Sequence, residues 1–197
     1  MSAARARIAT MRWVDRLVIG QNICPYTRAV RQRPGALRIH VTDADTVTSD
    51  DAFLRTAVEA EVAALEQGAG ETSLIVVPSS DGTWASNLQT SFPDWMSLGW
   101  AMEDVISTST MPLQLALFHP HAVRSLYAVN AADGEDAEDY AMRSPYPTAH
   151  ILRTADVEAV SGKSAAAIPQ RNRQRLAAIG VEELRRMYRD LSSAVTS

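Results

Sequence analysis

Apolar residues follow two different spacings along the chain, and the changes of spacing predict an order of helices and strands. Residues 3–20 and 52–67 carry apolar side chains every three or four positions, which is typical of amphipathic helices. Residues 37–41 alternate like a short strand, whereas residues 74–78 form a continuous β-branched run of the kind found in buried strands. The same reasoning predicts five further elements: a helix at 94–107, strands at 113–118 and 149–153, and helices at 169–179 and 181–192.

This order predicts an α/β (or α+β) fold, with a sheet of about four strands, helices packed on it and two helices closing the chain. Neither a repeat nor a linker divides the 197 residues, so we expect a single domain over 1–197. The long acidic segment 122–142 has no predicted element, and a loop of that length is usually functional or mobile.

Composition narrows the classes of function. The 19 Lys and Arg residues against 23 Asp and Glu give a net charge of −4, which argues against a nucleic-acid partner. Apolar runs are far shorter than the roughly 20 residues that span a bilayer, so no membrane is expected. The single cysteine, Cys24, excludes an internal disulfide and favours a cytoplasmic protein. No Walker, Rossmann, zincin or nucleophile-elbow motif is present.

Histidines supply the first candidate chemistry. His119 and His121 directly follow the strand at 113–118, and loops after strands commonly carry sites in α/β proteins. Two residues apart, they could share a metal ion only if Pro120 bends the chain. His150 follows the stiff segment 143–147, which contains two prolines. A purely structural role, as a hydrogen-bonded loop residue, is an equal alternative for each of these histidines. For His40 it is the favoured interpretation.

A thiol and several guanidinium groups supply the second set. Cys24 precedes Pro25; it is either a small buried apolar residue or a thiolate that acts as nucleophile or iron ligand. The Cys-Pro pair resembles the axial-ligand segment of heme-thiolate peroxidases. Arg143 and Arg153 could bind carboxylates, phosphates or heme propionates. For Arg171, Arg173 and Arg175, a solvated helix face is the favoured interpretation.

Five segments are distinctive: IGQNICPY (19–26), ETSLIVVP (71–78), FHP (118–120), RSPYPTAHILR (143–153) and IPQRN (168–172). In this order they resemble a bacterial family known as domain of unknown function 1415, over about residues 13–184. The resemblance implies one domain and no particular activity. The chain has Met142 where the family commonly has Asn, Thr154 where it has Glu, and Ala122 and Arg124 near a usual Tyr and Phe. These departures suggest altered chemistry, in keeping with a specialised biosynthetic pathway.

We expect Cys24, His119, Arg143 and His150 to converge on one pocket. The first hypothesis is a heme- or metal-dependent oxidoreductase acting on a small molecule, with His119 as metal ligand and Cys24 as the rival axial ligand. Under this hypothesis the catalytic residues would be His150, Arg143 and His121. The cofactor would also be contacted by Tyr146 and Arg153.

Two alternatives stay open. One is a cofactor-free enzyme in which Cys24 is the nucleophile, a histidine the base and Arg143 the anchor of an anionic substrate. The other is a non-enzymatic binding module. The sequence is compatible with a homodimer and does not require one.

Overall fold

The computed structural model describes residues 2–42, 51–78, 84–123, 135–161 and 167–193. The chain begins with α1 (Ala3–Trp13), which continues as a π-helix (Val14–Ile19). The elements that follow are α2 (Pro25–Arg31), β1 (Leu37–Val41), α3 (Ala52–Glu66), β2 (Thr72–Val76), α4 (Trp84–Thr90), α5 (Phe92–Ser107), β3 (Leu113–Phe118), a 3-10 helix (Ala137–Ala141), β4 (Thr148–Arg153), α6 (Thr154–Ser161), α7 (Ile168–Ile179) and α8 (Val181–Ser193). None of the helices described is both long enough and apolar enough to cross a membrane.

The strands form one mixed sheet in the order β1-β2-β4-β3. β1 and β2 run parallel, while β4 is antiparallel to both of its neighbours, β2 and β3. In this register His150 on β4 lies opposite Leu74 on β2 and Ala116 on β3. All five residues of β2 are buried, as its β-branched run predicts for a strand inside the sheet.

Helices cover both faces of the sheet, and the alternation of side chains along each strand decides which face a residue joins. On one face, Ile75 and Ile151 pack with α3 and α5 around the fully buried Trp95. On the other, Leu74 and Val76 pack with α1, the π-helix, α7 and α8. A smaller apolar cluster under α2 continues this second face.

The structure confirms the predicted α/β class, the four strands and the two C-terminal helices. Three of the described α-helices were not predicted: α2, α4 and α6. Helix α2 begins at Pro25 in its first turn, where a proline needs no hydrogen-bond partner. The segment predicted as a loop at 122–142 ends in the 3-10 helix, capped reciprocally by Asp136 and Asp139. Its residues 124–134 lie outside the described residues.

Candidate functional site

A cavity of about 120 Å³ lies between the sheet and the N-terminal helices, on the face formed by α1 and α2. Its walls are mostly apolar and include Trp13, Val18, Leu74, Phe118 and Leu152. The lining residues that carry a polar side-chain atom, apart from the indole of Trp13, are Cys24, Tyr26, Thr27, Thr72 and His150. A small, mainly apolar pocket with a few polar groups is the usual form of a small-molecule site.

The turn that ends the π-helix brings Cys24 to this cavity. At Gly20, a Cβ atom would lie 2.1 Å from the carbonyl oxygen of Arg16, so only glycine fits there. Asn22 has φ +49°, a left-handed conformation that asparagine tolerates better than most residues. Cys24 is then extended (φ −120°, ψ 111°), as its position before Pro25 predicts. The residue is partly exposed and belongs to the cavity lining.

His150 borders the same cavity from the middle of β4. Its Nε2 lies 2.7 Å from Oγ1 of Thr72, and that hydroxyl also lies 2.6 Å from the carbonyl oxygen of Ile151. The single hydroxyl proton is donated to the carbonyl, so Nε2 of His150 is the protonated nitrogen that donates to Thr72. The lone pair on Nδ1 then has no hydrogen-bond partner among the described residues. Burial lowers the pKa of His150 from 6.5 to about 4, so the ring is neutral near pH 7.

His119 lies on the opposite face of the sheet, and the predicted convergence of both histidines on one pocket is wrong. Phe118 points to the α1 face, where its ring meets Trp13, and the next residue, His119, therefore points the other way, towards Phe92 on α5. The side chain is fully buried, and burial lowers its pKa to about 4. Strand alternation alone separates two histidines that are both close to the β3–β4 pair.

Both ring nitrogens of His119 are already in use. Nε2 donates to the carbonyl oxygen of Leu88 at 2.6 Å, and Nδ1 accepts the backbone N–H of His121 at 3.0 Å. In this arrangement no lone pair remains for a metal ion. His121 has an exposed side chain and contributes its backbone to this structural contact.

Arg143 is placed in an ion-pair network and does not line the cavity. Its guanidinium contacts the carboxylate of Glu135 and lies 4.6 Å from the ring centroid of Tyr140. The same carboxylate receives two hydrogen bonds from Arg185, at 2.6 and 2.9 Å, and one from the Tyr140 hydroxyl. The predicted role of Arg143 as an anchor for an anionic substrate therefore finds no support in this geometry, since an internal carboxylate occupies the guanidinium.

The last two predicted contacts of a cofactor also lie outside the cavity lining. Tyr146 packs at the edge of the α1-face core, and its carbonyl oxygen accepts hydrogen bonds from Ser144 and Thr148. Arg153 donates to the carbonyl oxygens of Leu65 and Gly70, at 2.8 and 2.6 Å, and so ties the end of α3 to β4. Both residues have structural partners that explain their positions.

The residues around the cavity do not fit a heme. A cavity of about 150 Å³ accepts one benzene ring, so a macrocycle of four pyrrole rings needs several times the volume found here. Within the described parts of the chain, no three or more His, Cys, Asp or Glu side chains are grouped so that they could hold a metal ion. Heme and iron stay predictions from the sequence.

Sequence reasoning missed the threonine that orients His150. Thr72 and Leu74 are two residues apart on β2 and so share the cavity face, a pattern that was readable in the ETSLIVVP segment. Tyr26 and Thr27 were missed because α2 was not predicted. Another buried polar group, Glu61 on the α3 face, is held by Arg38, His40 and Ser73, which lower its pKa to about 2 despite its burial. This cluster confirms the structural interpretation of His40.

Fold and cavity together define a class: a three-layer α/β protein whose small apolar cavity carries one thiol and one imidazole. The family model described as a protein of unknown function, DUF1415, matches residues 5–186. The chain therefore belongs to the DUF1415 family, as the five segments predict. Comparisons with curated proteins and with solved structures gave no match.

Proposed function

We propose that the protein is a cofactor-free enzyme in which Cys24 is the nucleophile and His150 the proton acceptor, acting on a small uncharged acyl compound. One observation carries the proposal: the single cysteine and a buried histidine with an unpaired ring nitrogen border the same cavity. A thiol next to an oriented imidazole is the arrangement that activates cysteine nucleophiles. Thr72 supplies the third member, since its hydroxyl fixes the tautomer of His150.

The cavity walls limit the substrate. They are apolar, and no Asp, Glu, Lys or Arg is among the lining residues, so the group bound there is uncharged. With a volume of about 120 Å³, the cavity holds a group somewhat smaller than a benzene ring, about four or five heavy atoms. The short acyl group of an ester or a thioester is both uncharged and small enough.

The reaction follows from these groups. The Cys24 sulfur adds to the acyl carbonyl carbon, the bond to the leaving alkoxide or thiolate breaks, and an acyl-cysteine results. The thiol proton passes to Nδ1 of His150 and from there to the leaving group. Water, or a second acceptor, then releases the acyl group and regenerates the thiol. Burial lowers the pKa of His150 to about 4, so the ring is neutral near pH 7 and has a lone pair that can accept the thiol proton.

The setting of the proposal is the one predicted from composition. A reducing cytoplasm keeps a lone cysteine as a thiol, which the reaction needs. The homodimer stays a prediction and has no role in the chemistry.

A chromogenic ester series tests the proposal. We expect p-nitrophenyl acetate and butyrate to give a burst of one p-nitrophenol per Cys24, and the octanoate to give little, because its chain exceeds the cavity. Mass spectrometry should find the acyl group on Cys24. Cys24→Ser and His150→Gln should each lower the burst rate by about a hundredfold or more, whereas His121→Ala, at an exposed side chain, should not. An unchanged burst in Cys24→Ser would refute the proposal.

The apolar lining favours one second candidate, a binding protein for a small apolar molecule. In that case the protein would bind a probe such as benzene, detected by shifts of its Trp13 or His150 resonances, and no ester would acylate Cys24. Both functions predict that a small molecule occupies the cavity. Only the enzyme predicts that an ester acylates Cys24.

A further inference from the structure

Three side chains of α7 hold the turn that precedes Cys24. Asn172 donates from Nδ2 to the carbonyl oxygen of Ile23 at 2.9 Å. Arg175 donates from Nη1 to the carbonyl oxygens of Gln21 and Asn22, at 2.9 and 3.3 Å. The third side chain, Arg171, reaches the carbonyl oxygens of residues 22 and 23, at 3.2 and 3.4 Å. Three consecutive carbonyls thus point at one helix that lies about 150 residues further along the chain.

The backbone N–H groups of the same turn point the other way. Those of Gln21, Asn22 and Ile23 donate to carbonyl oxygens within the π-helix, at 2.9, 3.0 and 2.8 Å. The turn is therefore bonded on both sides, through its N–H groups to the π-helix and through its carbonyls to α7. Few turns are fixed so completely, because exposed turns leave such groups to water.

The three α7 side chains lie where they can bind the carbonyl groups of the turn. Arg171 and Arg175 are four residues apart and so lie on one face of the helix. Asn172 is buried, and its Oδ1 accepts from Arg171 at 3.3 Å, which turns Nδ2 towards Ile23. These contacts also bring together the segments IGQNICPY and IPQRN. The sequence favours a solvated helix face for Arg171 and Arg175, and the structure corrects that interpretation for both.

We infer that Asn172, Arg171 and Arg175 are positioning residues that fix the backbone before Cys24 and thereby direct its thiol into the cavity. None of the three lines the cavity, so they act only through the turn. This inference rests on the proposed function for its purpose, but the geometry that it describes can be tested separately. A misplaced nucleophile loses rate steeply, since reacting atoms must be held close to their attack geometry.

Two reactions of Cys24 measure its position in the full-length protein. The first is acylation by p-nitrophenyl acetate, which needs the thiol in the cavity. The second is thiol–disulfide exchange with a large, charged reagent, 5,5′-dithiobis(2-nitrobenzoate), which needs the thiol in solvent. We expect Asn172→Ala to slow acylation by about tenfold and to speed disulfide exchange by about tenfold, the scale of one lost hydrogen bond.

Matched variants separate positioning from loss of fold. Arg171→Ala and Arg175→Ala should act in the same direction, and Arg171→Lys, which keeps a donor and the charge, should restore part of the acylation rate. Arg186→Ala is the control, since it removes an exposed arginine of α8 that pairs with Glu183. A variant that only destabilised the fold would show reduced helical circular dichroism, and both rates would be compared at equal folded fraction.

The outcomes distinguish the two proposals. Opposite changes in the two rates support the positioning role. Unchanged rates in Asn172→Ala and Arg171→Ala overturn it, even if wild-type Cys24 is acylated. If wild-type Cys24 is never acylated but disulfide exchange still speeds up in Asn172→Ala, the positioning role stands and the proposed enzyme activity fails.

Discussion

Two buried histidines make the stability of the protein sensitive to mild acid. His119 and His150 are fully or nearly fully buried, and burial lowers the pKa of each to about 4. In the unfolded chain both would titrate near 6.5. Below that pH the unfolded state binds protons that the folded state does not bind. The free energy of unfolding therefore falls as pH falls from 6.5 to 4, and the contribution of the two neutral histidines is complete only above pH 6.5.

The size of this effect follows from the two pKa values. At about 1.4 kcal/mol per pKa unit, each histidine accounts for about 3 kcal/mol over the whole range. About 2 kcal/mol of that would be lost per histidine between about pH 7 and about pH 4.5. Two such losses are a large part of the total stability of an ordinary domain, about 5–15 kcal/mol, so mild acid should destabilise the protein strongly.

Urea unfolding followed by tryptophan fluorescence at these two pH values measures the loss. His119→Gln and His150→Gln should each be less stable than the wild type at about pH 7, and each should lose about 2 kcal/mol less on acidification. The exposed His121→Ala is the control and should follow the wild type. If both glutamine variants lose as much stability as the wild type between the two pH values, neither histidine is held neutral by burial.

Three further changes test other parts of the structure. Glu135→Gln should lower the free energy of unfolding by about 1–3 kcal/mol, because it removes a carboxylate that pairs with the largely buried guanidinium of Arg143 and leaves Asp139, at 3.7 Å, as its charge partner; an unchanged ester burst is also expected, and its loss would bring Arg143 back as a site residue. Ala116→Ile should partly fill the cavity, stabilise the protein by about 1 kcal/mol and suppress the ester burst, whereas an undiminished burst would place the reaction elsewhere. Thr72→Val should lower the free energy of unfolding by about 1–3 kcal/mol and slow acylation of Cys24, whereas Thr72→Ser should stay close to the wild type. Equal acylation rates in the two variants would show that Thr72 does not orient His150.

Hydrophobic periodicity predicted the fold well because the main helices bury one face, while the central strand β2 buries both. The strand at 113–118 and the helix starting at 52 agree with the structure at those boundaries. The central strand was placed two residues late, since Thr72 and Ser73 look like a polar edge although both are buried. Helix α2 was not predicted because the pair Cys24-Pro25 indicates an interruption of regular structure. It does not indicate that a helix begins immediately after it.

The site was harder to predict because it depends on contacts between distant segments. Cys24 and His150 were identified from their residue types, and the cavity brings them together. His119 has the same chemistry and lies one residue beyond a strand end, yet alternation turns it to the other face, where backbone groups bind both of its nitrogens. No local pattern shows that Arg143 would find Glu135 or that Asn172 would reach Ile23, since side-chain partners are set by the tertiary fold.

The central claim, that Cys24 and His150 share one cavity, can be tested directly with imidazole nitrogens as the probe. We would record the ¹⁵N resonances of all four histidines before and after stoichiometric alkylation of Cys24 with iodoacetamide. The structure predicts that His150 shifts, because the added group enters the cavity that its ring borders, while His119 on the other face of the sheet does not move. A fully alkylated protein in which the His150 resonances stay unchanged would contradict the shared cavity and the chemistry proposed for it.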